Sequence, residues 1–549
     1  MFYTGDKMKK DSFLKGTIVA TIAIIITKVL GVLYVIPFYN IIGEQGGVLY
    51  AYAYNIYNLF LNISVAGIPI AISMIISEYI TLHKYDAKER VYSVSKKLIL
   101  TFSVITFLIV FIFSDYFALF YINGVTGGNS IKNISLVIKA ISISLLIIPF
   151  LSVLRGYLQG HKYIAPGSMS QVYEQVIRII IVLVGSYLAI NVFNTSIPIG
   201  VSVALTGAFF GGLGAYIYLK VRINKNKHLF EIKDNTKKDS ETNKDILKKI
   251  VMYSIPLILI AITNDVYNIV DMKLIIKGLY MIGYDAQTCE LISSIIATWA
   301  PKICMLIIAV SMGLVTSLMP HLIEKYTKKD YVGTNKIFNQ AVSTMIVIAL
   351  PMALGITLLS TDVYSVFYGN STYGPNLLII TTFTTLMIGI LSISNTTLQG
   401  FKKFKTVIIS TLIGLVINAI LDIPMILLLN KIGIAPYYGT AIATIIGTLI
   451  SITIIFTYLK KNYKFKYFEI LRNASKTFIP LLLMCVVAVP LNELIDAGND
   501  RIMAVVKIFI IGVFGGIVYL IALYKNKGIE NVFGKDETNR ILKKLHLKK

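Results

Sequence analysis

Fourteen long apolar segments constrain what this 549-residue chain can fold into, because each is long enough to cross a bilayer as a helix of about 20 residues. They cover residues 17–40, 49–80, 98–121, 133–158, 168–191, 197–221, 250–279, 290–320, 337–359, 373–399, 405–430, 434–459, 474–495 and 502–524. Only helices and closed barrels span a bilayer, and these segments lack the alternation of a barrel strand. The sequence therefore predicts an all-α integral membrane protein with fourteen transmembrane helices.

The placement of the basic residues supports this count. The formal charge is +24, and most lysines and arginines lie in the two tails and in the even-numbered loops. Only Lys132, Lys431 and Arg501 lie in odd-numbered loops. Because lysine and arginine stay on the cytoplasmic side, we expect both termini to be cytoplasmic. Charge dispersed over short loops does not indicate a nucleic-acid partner.

Two short motifs indicate an internal repeat. Leu158–Lys162 follows the fourth span and Leu398–Lys402 follows the tenth, at an offset of 240 residues, and each begins Leu-Gln-Gly and ends in lysine. The pair Gly67 and Glu78 in span two recurs as Gly313 and Glu324 in span eight. Spans n and n+6 are thus in register and have the same orientation. Transporters built from such halves bind substrate between the halves and rock one against the other.

The predicted organisation has five parts. They are an N-terminal lobe at 1–221, a cytoplasmic linker at 222–249, a second lobe at 250–460, two further spans at 461–525 and a basic cytoplasmic tail at 526–549. The linker is rich in lysine and asparagine, which is typical of a solvated connection or of a polybasic segment attracted to anionic lipid.

Cationic side chains within the spans are the first candidate site. Lys28 and Lys302 lie near mid-depth of spans one and eight, while Arg178 and Arg155 lie in spans five and four. A cation at that depth is costly unless it faces water or a counter-charge, so it often marks a solute pathway, and arginine and lysine both bind phosphate. The alternatives are that Arg155 snorkels to the interface and that Glu174, one turn away, neutralises Arg178.

Three asparagines of span two, Asn55, Asn58 and Asn62, share one helical face. They predict either a cavity lining or hydrogen bonds between helices. We interpret the neighbouring tyrosines at 50, 52, 54 and 57 as an aromatic belt at the membrane interface.

A second candidate site contains oxygen donors on three spans. They are Asp271 in span seven, Asn418 and Asp422 in span eleven, and Thr440 and Thr444 in span twelve. Carboxylate, amide and hydroxyl oxygens suit a hard cation such as Na⁺, or a proton relay. Span seven also carries Asp265, Lys273 and Lys277, so a salt bridge from Asp271 to a lysine is the alternative.

Signals of catalysis are absent from the sequence. There is no phosphate-binding loop of the GxxxxGK[ST] type, no HExxH and no GxSxG, and the three cysteines show no metal or redox spacing. We therefore expect a protein that is not an enzyme, with no cofactor beyond a coupling Na⁺.

The sequence resembles the MOP (multidrug, oligosaccharidyl-lipid, polysaccharide) exporter superfamily, and within it the MurJ/YtgP/SpoVB branch. The residues that carry the resemblance are Thr27–Gly31, Gly67–Pro69, Ser77–Tyr79, Arg155–Gly160, Ser170–Val172, Glu174, Gln175, Arg178 and Thr397–Gly400. The resemblance implies two six-helix lobes around a central cavity, with the last two spans forming a groove for a lipid tail.

The resemblance also implies a function: flipping lipid II, an undecaprenyl-diphosphate-linked peptidoglycan precursor, across the bacterial plasma membrane. It assigns Lys28 and Lys302 to the cationic cavity and Asp271, Asn418, Asp422, Thr440 and Thr444 to a Na⁺ site. Membrane lipid and peptidoglycan-assembly proteins are the further partners expected. Another polysaccharide or teichoic-acid precursor, a cation-coupled multidrug antiporter and a non-transporting membrane scaffold remain as alternatives.

Overall fold

The computed structural model describes Ala23 and residues 26–122, 124–230, 241–498, 500–526 and 528–533. The start of the first predicted span, the middle of the linker and most of the basic tail lie outside these residues. The described chain divides into two compact units. The first comprises the residues up to Ile276 together with Asp285–Ser294, and the second comprises Lys277–Tyr284 and the residues from Ile295 onward. The lobe boundaries expected from the sequence stay a prediction.

The first unit is built from helices. They are α1 Val35–Val65, α2 Ile68–Thr81, α3 Tyr85–Ile112, α4 Ser114–Ile122, α5 Ile131–Ser142, α6 Ile148–Gly160, α7 Ile164–Ile180, α8 Ile197–Lys225, α9 Asn243–Met281, whose last turn belongs to the second unit, and α10 Ala286–Ser294. Residues 26–33 are also helical. Ser130 caps α5 by accepting a hydrogen bond from the Asn133 amide, which satisfies one of the free amides of the first turn.

The second unit is helical as well. It contains α11 Ala300–Ile303, α12 Met305–Thr327, α13 Tyr331–Leu358, α14 Ser360–Tyr368, α15 Gly374–Gly400, α16 Phe404–Lys431, α17 Tyr438–Tyr463, α18 Phe468–Leu494, α19 Arg501–Lys525 and α20 Gly528–Phe533. A nearly buried ion pair joins α14 to α19, with Asp362 3.0 Å from Lys507. The last span is thereby fixed to the helix that follows α13.

The all-α membrane fold predicted from the sequence is confirmed. Twelve helices of the described chain are long and apolar enough to cross a membrane, and a thirteenth span arises if the bent pair Ala286–Ile303 and Met305–Val315 is counted as one. Span one ends within the first of these helices, because Gly43 kinks α1 with φ +65° and separates its first eight residues from span two. Much of the first predicted span lies outside the described residues, so the count of fourteen is not confirmed.

The repeat expected from the sequence has a local structural counterpart. Helices α6 and α15 end in the same turn, in which Lys162 and Lys402 take positive φ and the residue after each lysine donates to Leu158 or Leu398. Helices α2 and α12 end likewise, at His83 and Lys329. This hydrogen-bond pattern is the Schellman motif, and a basic residue near a helix carboxyl end also complements the helix dipole. The repeated motifs in the sequence therefore encode helix ends.

Span two is broken in its middle. Helix α1 ends at Val65, and Gly67 precedes α2 in the left-handed conformation, with φ +78°. A Cβ at Gly67 would lie 2.8 Å from the Leu257 Cβ and 3.1 Å from the Ser254 carbonyl oxygen. The break therefore packs against α9, whose own ladder of hydrogen bonds is interrupted at Pro256.

We expect Gly67→Ala to destabilise the protein by about 1–3 kcal/mol, because the new Cβ meets both positive φ and a packed helix. Thermal unfolding in detergent measures the change. The control is Gly313→Ala at the repeat-equivalent position, where a Cβ would have nothing within 4 Å. Equal melting temperatures for the two variants would contradict the prediction.

The end of the linker is tied to spans two and seven. Glu241 accepts hydrogen bonds from Tyr79, from Lys84 at 2.9 Å and from Lys249 at 3.2 Å. Burial acts to raise the pKa of Glu241, but these donors outweigh it and hold the pKa below its ordinary value. The part of the linker that the structure describes thus forms a defined contact at the end of the membrane-spanning helices.

Candidate functional site

Two arginines of the first unit converge on one carboxylate. The Arg155 Nη2 donates to Glu174 Oε2 at 2.8 Å, and the Arg178 Nη2 donates to Glu174 Oε1 at 3.0 Å. Arg155 also donates from Nε to Ser170 at 2.9 Å. The structure therefore brings together Arg155 and Arg178, which the sequence named separately, and supports the alternative in which Glu174 binds Arg178.

The packing of α7 fixes the position of this cluster. A Cβ at Gly211 of α8 would lie 2.6 Å from the Glu174 carbonyl, and one at Gly207 would lie 2.9 Å from the Arg178 carbonyl. Only glycine allows the two backbones to approach this closely, which is a common device between membrane helices. The residues Glu174 and Arg178 therefore lie on the face of α7 that packs closely on α8.

The cluster keeps an excess of positive charge. It contains two guanidinium groups and one carboxylate, and the three side chains are only 14–21% exposed. The Nε of Arg178 is buried and has no hydrogen-bond partner among the described residues. A buried donor without a partner costs free energy, so the cluster suits an incoming anion.

Lys28 lies on a helix that packs beside this cluster. A Cβ at Gly31, one turn after Lys28, would lie 3.4 Å from Gln175 Nε2, the residue next to Glu174. Lys28 is partly exposed, and its ammonium makes neither a hydrogen bond nor an ion pair with any residue that the structure describes. The helix that carries Lys28 is thus a neighbour of the helix that carries Glu174 and Arg178.

The tyrosines that follow span one lie inside the protein, so the prediction of an interfacial aromatic belt is wrong. Tyr50, Tyr52 and Tyr57 are at most 5% exposed. The Tyr34 and Tyr50 hydroxyls are 3.4 Å apart, and the Arg178 guanidinium acts electrostatically on Tyr34, Tyr50 and Tyr57. From the sequence we did not predict that these hydroxyls lie in the polar interior. The signal was available, because several tyrosines and asparagines of span two are three or four residues apart and so share one helical face.

Lys302 lies in the second unit at the bend of span eight. A π-helical turn at Ile295–Trp299 precedes α11, and the two parts of the span meet at an angle of 56° after Ile303. The Lys302 Nζ lies 4.1 Å from the centre of the Trp299 ring, which is a cation–π distance. Within its own unit, Lys302 is therefore positioned by an aromatic ring.

The asparagines of span two have different environments. Asn55 is buried and donates to the Ala51 carbonyl of its own helix, whereas Asn58 is partly exposed. Asn62 donates to Asp265 Oδ2 of α9 at 2.7 Å. For Asn62, the interpretation as a hydrogen bond between helices is therefore the one that the geometry supports.

Four of the five proposed cation ligands lie together in the second unit. The Asn418 amide donates to Asp422 Oδ1 at 3.3 Å and to Thr444 Oγ1 at 3.2 Å. Asn418, Asp422 and Thr440 are fully buried, and Asn418 Oδ1 and Thr440 Oγ1 have no hydrogen-bond partner in the described part of the chain. Such oxygens fit a hard cation such as Na⁺. Asp271 is buried in the first unit, so its membership of this site stays a prediction.

Two family models match the chain. The model described as polysaccharide biosynthesis protein matches residues 13–284, and the model described as MatE matches residues 296–423.

Curated relatives include flippase and sporulation proteins of Bacillus subtilis (strain 168). The lipid II flippase MurJ is 28% identical over 539 residues, which cover 96% of this chain and 97% of MurJ. The stage V sporulation protein B is 29% identical over 253 residues, which cover 45% of this chain and 46% of the relative.

Solved structures show the same fold. Lipid II flippase MurJ in an inward closed conformation has a TM-score of 0.62 at 17% identity, with 92% of this chain and 98% of that chain covered. An inward-facing MATE family transporter of the MOP superfamily has a TM-score of 0.63 at 14% identity, with 81% and 98% covered.

Proposed function

We propose that this chain, which is similar to MurJ from end to end, is a flippase of the MOP exporter superfamily for an undecaprenyl-diphosphate-linked cell-wall precursor. The precursor that the similarity favours is lipid II of peptidoglycan synthesis. The observation that carries the proposal is the alignment with a lipid II flippase over 96% of the chain. The chain is thus a membrane transporter and not an enzyme.

The charge of the first unit supports an anionic substrate. Arg155 and Arg178 share one carboxylate, and Lys28 lies on the adjacent helix. We assign Lys28, Arg155 and Arg178 of the first unit to the diphosphate, with Asn55 and Asn58 as polar lining. A contact of Lys302 with the substrate stays a prediction from the sequence. Arginine binds phosphate oxygens through two parallel hydrogen bonds and lysine adds a point charge.

The transport cycle that we propose makes and breaks no covalent bond. The headgroup enters from the cytoplasm, the two lobes rock, and the site then opens to the outside while the lipid tail stays in a groove beside the last two spans. Na⁺ drives the cycle by binding the two states of the protein with different affinities, or the membrane potential drives it by acting on charge that moves across the membrane.

Two experiments test the substrate. Purified protein in proteoliposomes should move fluorescent lipid II between leaflets, and the gene should restore growth to a bacterium depleted of its lipid II flippase. Flipping of a teichoic-acid or capsule precursor, with no movement of lipid II, would reassign the substrate within the same class. Resistance to cationic drugs without lipid movement would instead indicate a multidrug antiporter.

The orientation that we propose places both termini and the linker in the cytoplasm. The basic loops at 83–97, 321–336 and 460–473 then lie on that side, as the distribution of lysine and arginine favours. Labelling of single cysteines from outside intact cells should reach position 127 but not position 329.

We propose Na⁺ as the coupling ion, held in the second unit by Asn418, Asp422, Thr440 and Thr444. The role of Asp271 stays a prediction from the sequence. Asp422→Asn removes the negative charge but keeps the volume of the side chain. We expect transport by this variant to lose most of its dependence on Na⁺, because Asn418, Thr440 and Thr444, the other donors of the second unit, are neutral. Flipping is measured in proteoliposomes with Na⁺ or K⁺ outside.

The control for this experiment is Thr453→Ala, an exposed threonine of the same helix as Thr440. It should keep the dependence of the parent protein. Transport by the parent protein that does not respond to Na⁺ would refute the assignment.

A further inference from the structure

Spans two and seven of the first unit pack against each other along their length. Glu78 meets Lys249 at 3.4 Å, Gly67 lies against Leu257, and Asn62 bonds Asp265 at 2.7 Å. The residues on α9 are eight apart, which corresponds to about 12 Å of helix for each step. Asp265 therefore lies about 24 Å along the helix from Lys249, within the depth of the bilayer.

The Asp265 carboxylate has no basic partner among the residues that the structure describes. Glu174 binds two arginines and Glu241 binds two lysines, whereas the only partner of Asp265 among the described residues is the neutral Asn62 amide. Asp265 is partly exposed. An ionised carboxylate inside a membrane without a counter-charge costs several kcal/mol, and one proton removes that cost.

The lysines Lys249 and Lys273, on either side of Asp265 in α9, contact other groups. Lys249 bonds Glu78 and Glu241, and Lys273 lies 3.8 Å from the centre of the Phe120 ring. Asp271, six residues beyond Asp265, is buried and carries charge of the same sign. Tyr57 is the titratable group of α1 that is nearest to Asn62 in sequence, and it interacts electrostatically with Arg178 and Glu174.

The bond to Asp265 is made where α1 ends. The Asn62 carbonyl accepts the hydrogen bond of Ala66, the last residue before Gly67. Gly67 follows Ala66 directly and packs on α9, and α2 begins at the next residue, Ile68. A change in the strength of the hydrogen bond from Asn62 to Asp265 therefore affects the last turn of α1, directly before the break in span two.

We propose that Asp265 is a proton-binding site and that its protonation loosens Asn62, so that the outer half of span two is freed from span seven at the Gly67 break. When ionised, the carboxylate accepts a charge-assisted hydrogen bond, which is about twice as strong as a neutral one. When protonated, it accepts only a neutral bond. The further step, that this proton drives transport, rests on the proposed flippase function.

Infrared difference spectroscopy of the protein in vesicles without substrate tests the proton site. Lowering the pH should produce a carbonyl band of a protonated carboxyl group, which Asp265→Asn abolishes and Asn62→Ala shifts in frequency because the hydrogen-bond donor is lost. The matched control is Asn264→Ala, which removes an exposed amide beside Asp265 and should leave the band unchanged. An unchanged spectrum in Asp265→Asn overturns the proposal.

Reconstituted flipping under an imposed proton gradient tests the coupling. We expect the gradient to change the rate of the parent protein about tenfold and that of Asp265→Asn less than about twofold, which corresponds to about 1 kcal/mol of lost coupling. An equal response of the two proteins overturns the coupling step. If the parent protein moves no lipid II, the proposed function fails, and the infrared experiment still decides the proton site.

Discussion

Replacing Lys28 by alanine is expected to lower the rate of lipid II flipping at least about tenfold and to leave the folded protein intact. A hydrogen bond between two charged groups contributes about 1.5–3 kcal/mol, and each 1.4 kcal/mol is tenfold in affinity. Lys28 has no ion pair with a described residue, so its removal leaves no carboxylate uncompensated. The effect should therefore fall on transport and not on stability.

Flipping in proteoliposomes and thermal unfolding in detergent separate these two outcomes. Lys28→Arg keeps the charge and should retain a large part of the rate. The control is Lys139→Ala, which removes another lysine within a span, at 4.0 Å from the exposed Asp115. Full activity of Lys28→Ala would show that Lys28 does not contribute to binding of the substrate.

Much of the fold could be predicted because its rules are local. A bilayer accepts only segments of sufficient length that satisfy their own backbone hydrogen bonds, so apolar runs gave the helices directly. The repeated Leu-Gln-Gly motif predicted equivalent positions in two halves, and Lys162 and Lys402 do adopt the same turn. The break of span two at Gly67 could not be predicted, because hydropathy carries no information about the direction of the backbone.

The candidate site was predicted in part, for a different physical reason. Asn418, Asp422 and Thr444 belong to adjacent helices with regular spacing, and the structure joins them by hydrogen bonds. The tyrosines near span one were misplaced, because aromatic residues are common both at interfaces and in polar interiors. The bond between Asn62 and Asp265 joins residues 203 positions apart, and nothing in a single sequence indicates such a contact.

Glu174→Gln is expected to destabilise the protein by about 3 kcal/mol, because it leaves two guanidinium groups without their common carboxylate in a partly buried site. The double variant Glu174→Gln with Arg155→Gln should recover part of the loss, since one excess charge is removed. Thermal unfolding in detergent measures both variants. Glu324→Gln is the control, because it also removes a carboxylate that pairs with a cation one turn away, here the exposed Lys328.

The Glu174→Gln variant also tests whether Arg155 and Arg178 bind an anionic ligand or have only a structural role. In Glu174→Gln the two arginines have no carboxylate to bind, so an anionic ligand has more charge to neutralise. Inorganic diphosphate or lipid II should therefore raise the melting temperature of Glu174→Gln by more than that of the parent protein. If the ligand stabilises neither protein, the two arginines have only a structural role, in which the pair of Arg155 with Glu174 holds α6 against α7. The phosphate must then be bound elsewhere.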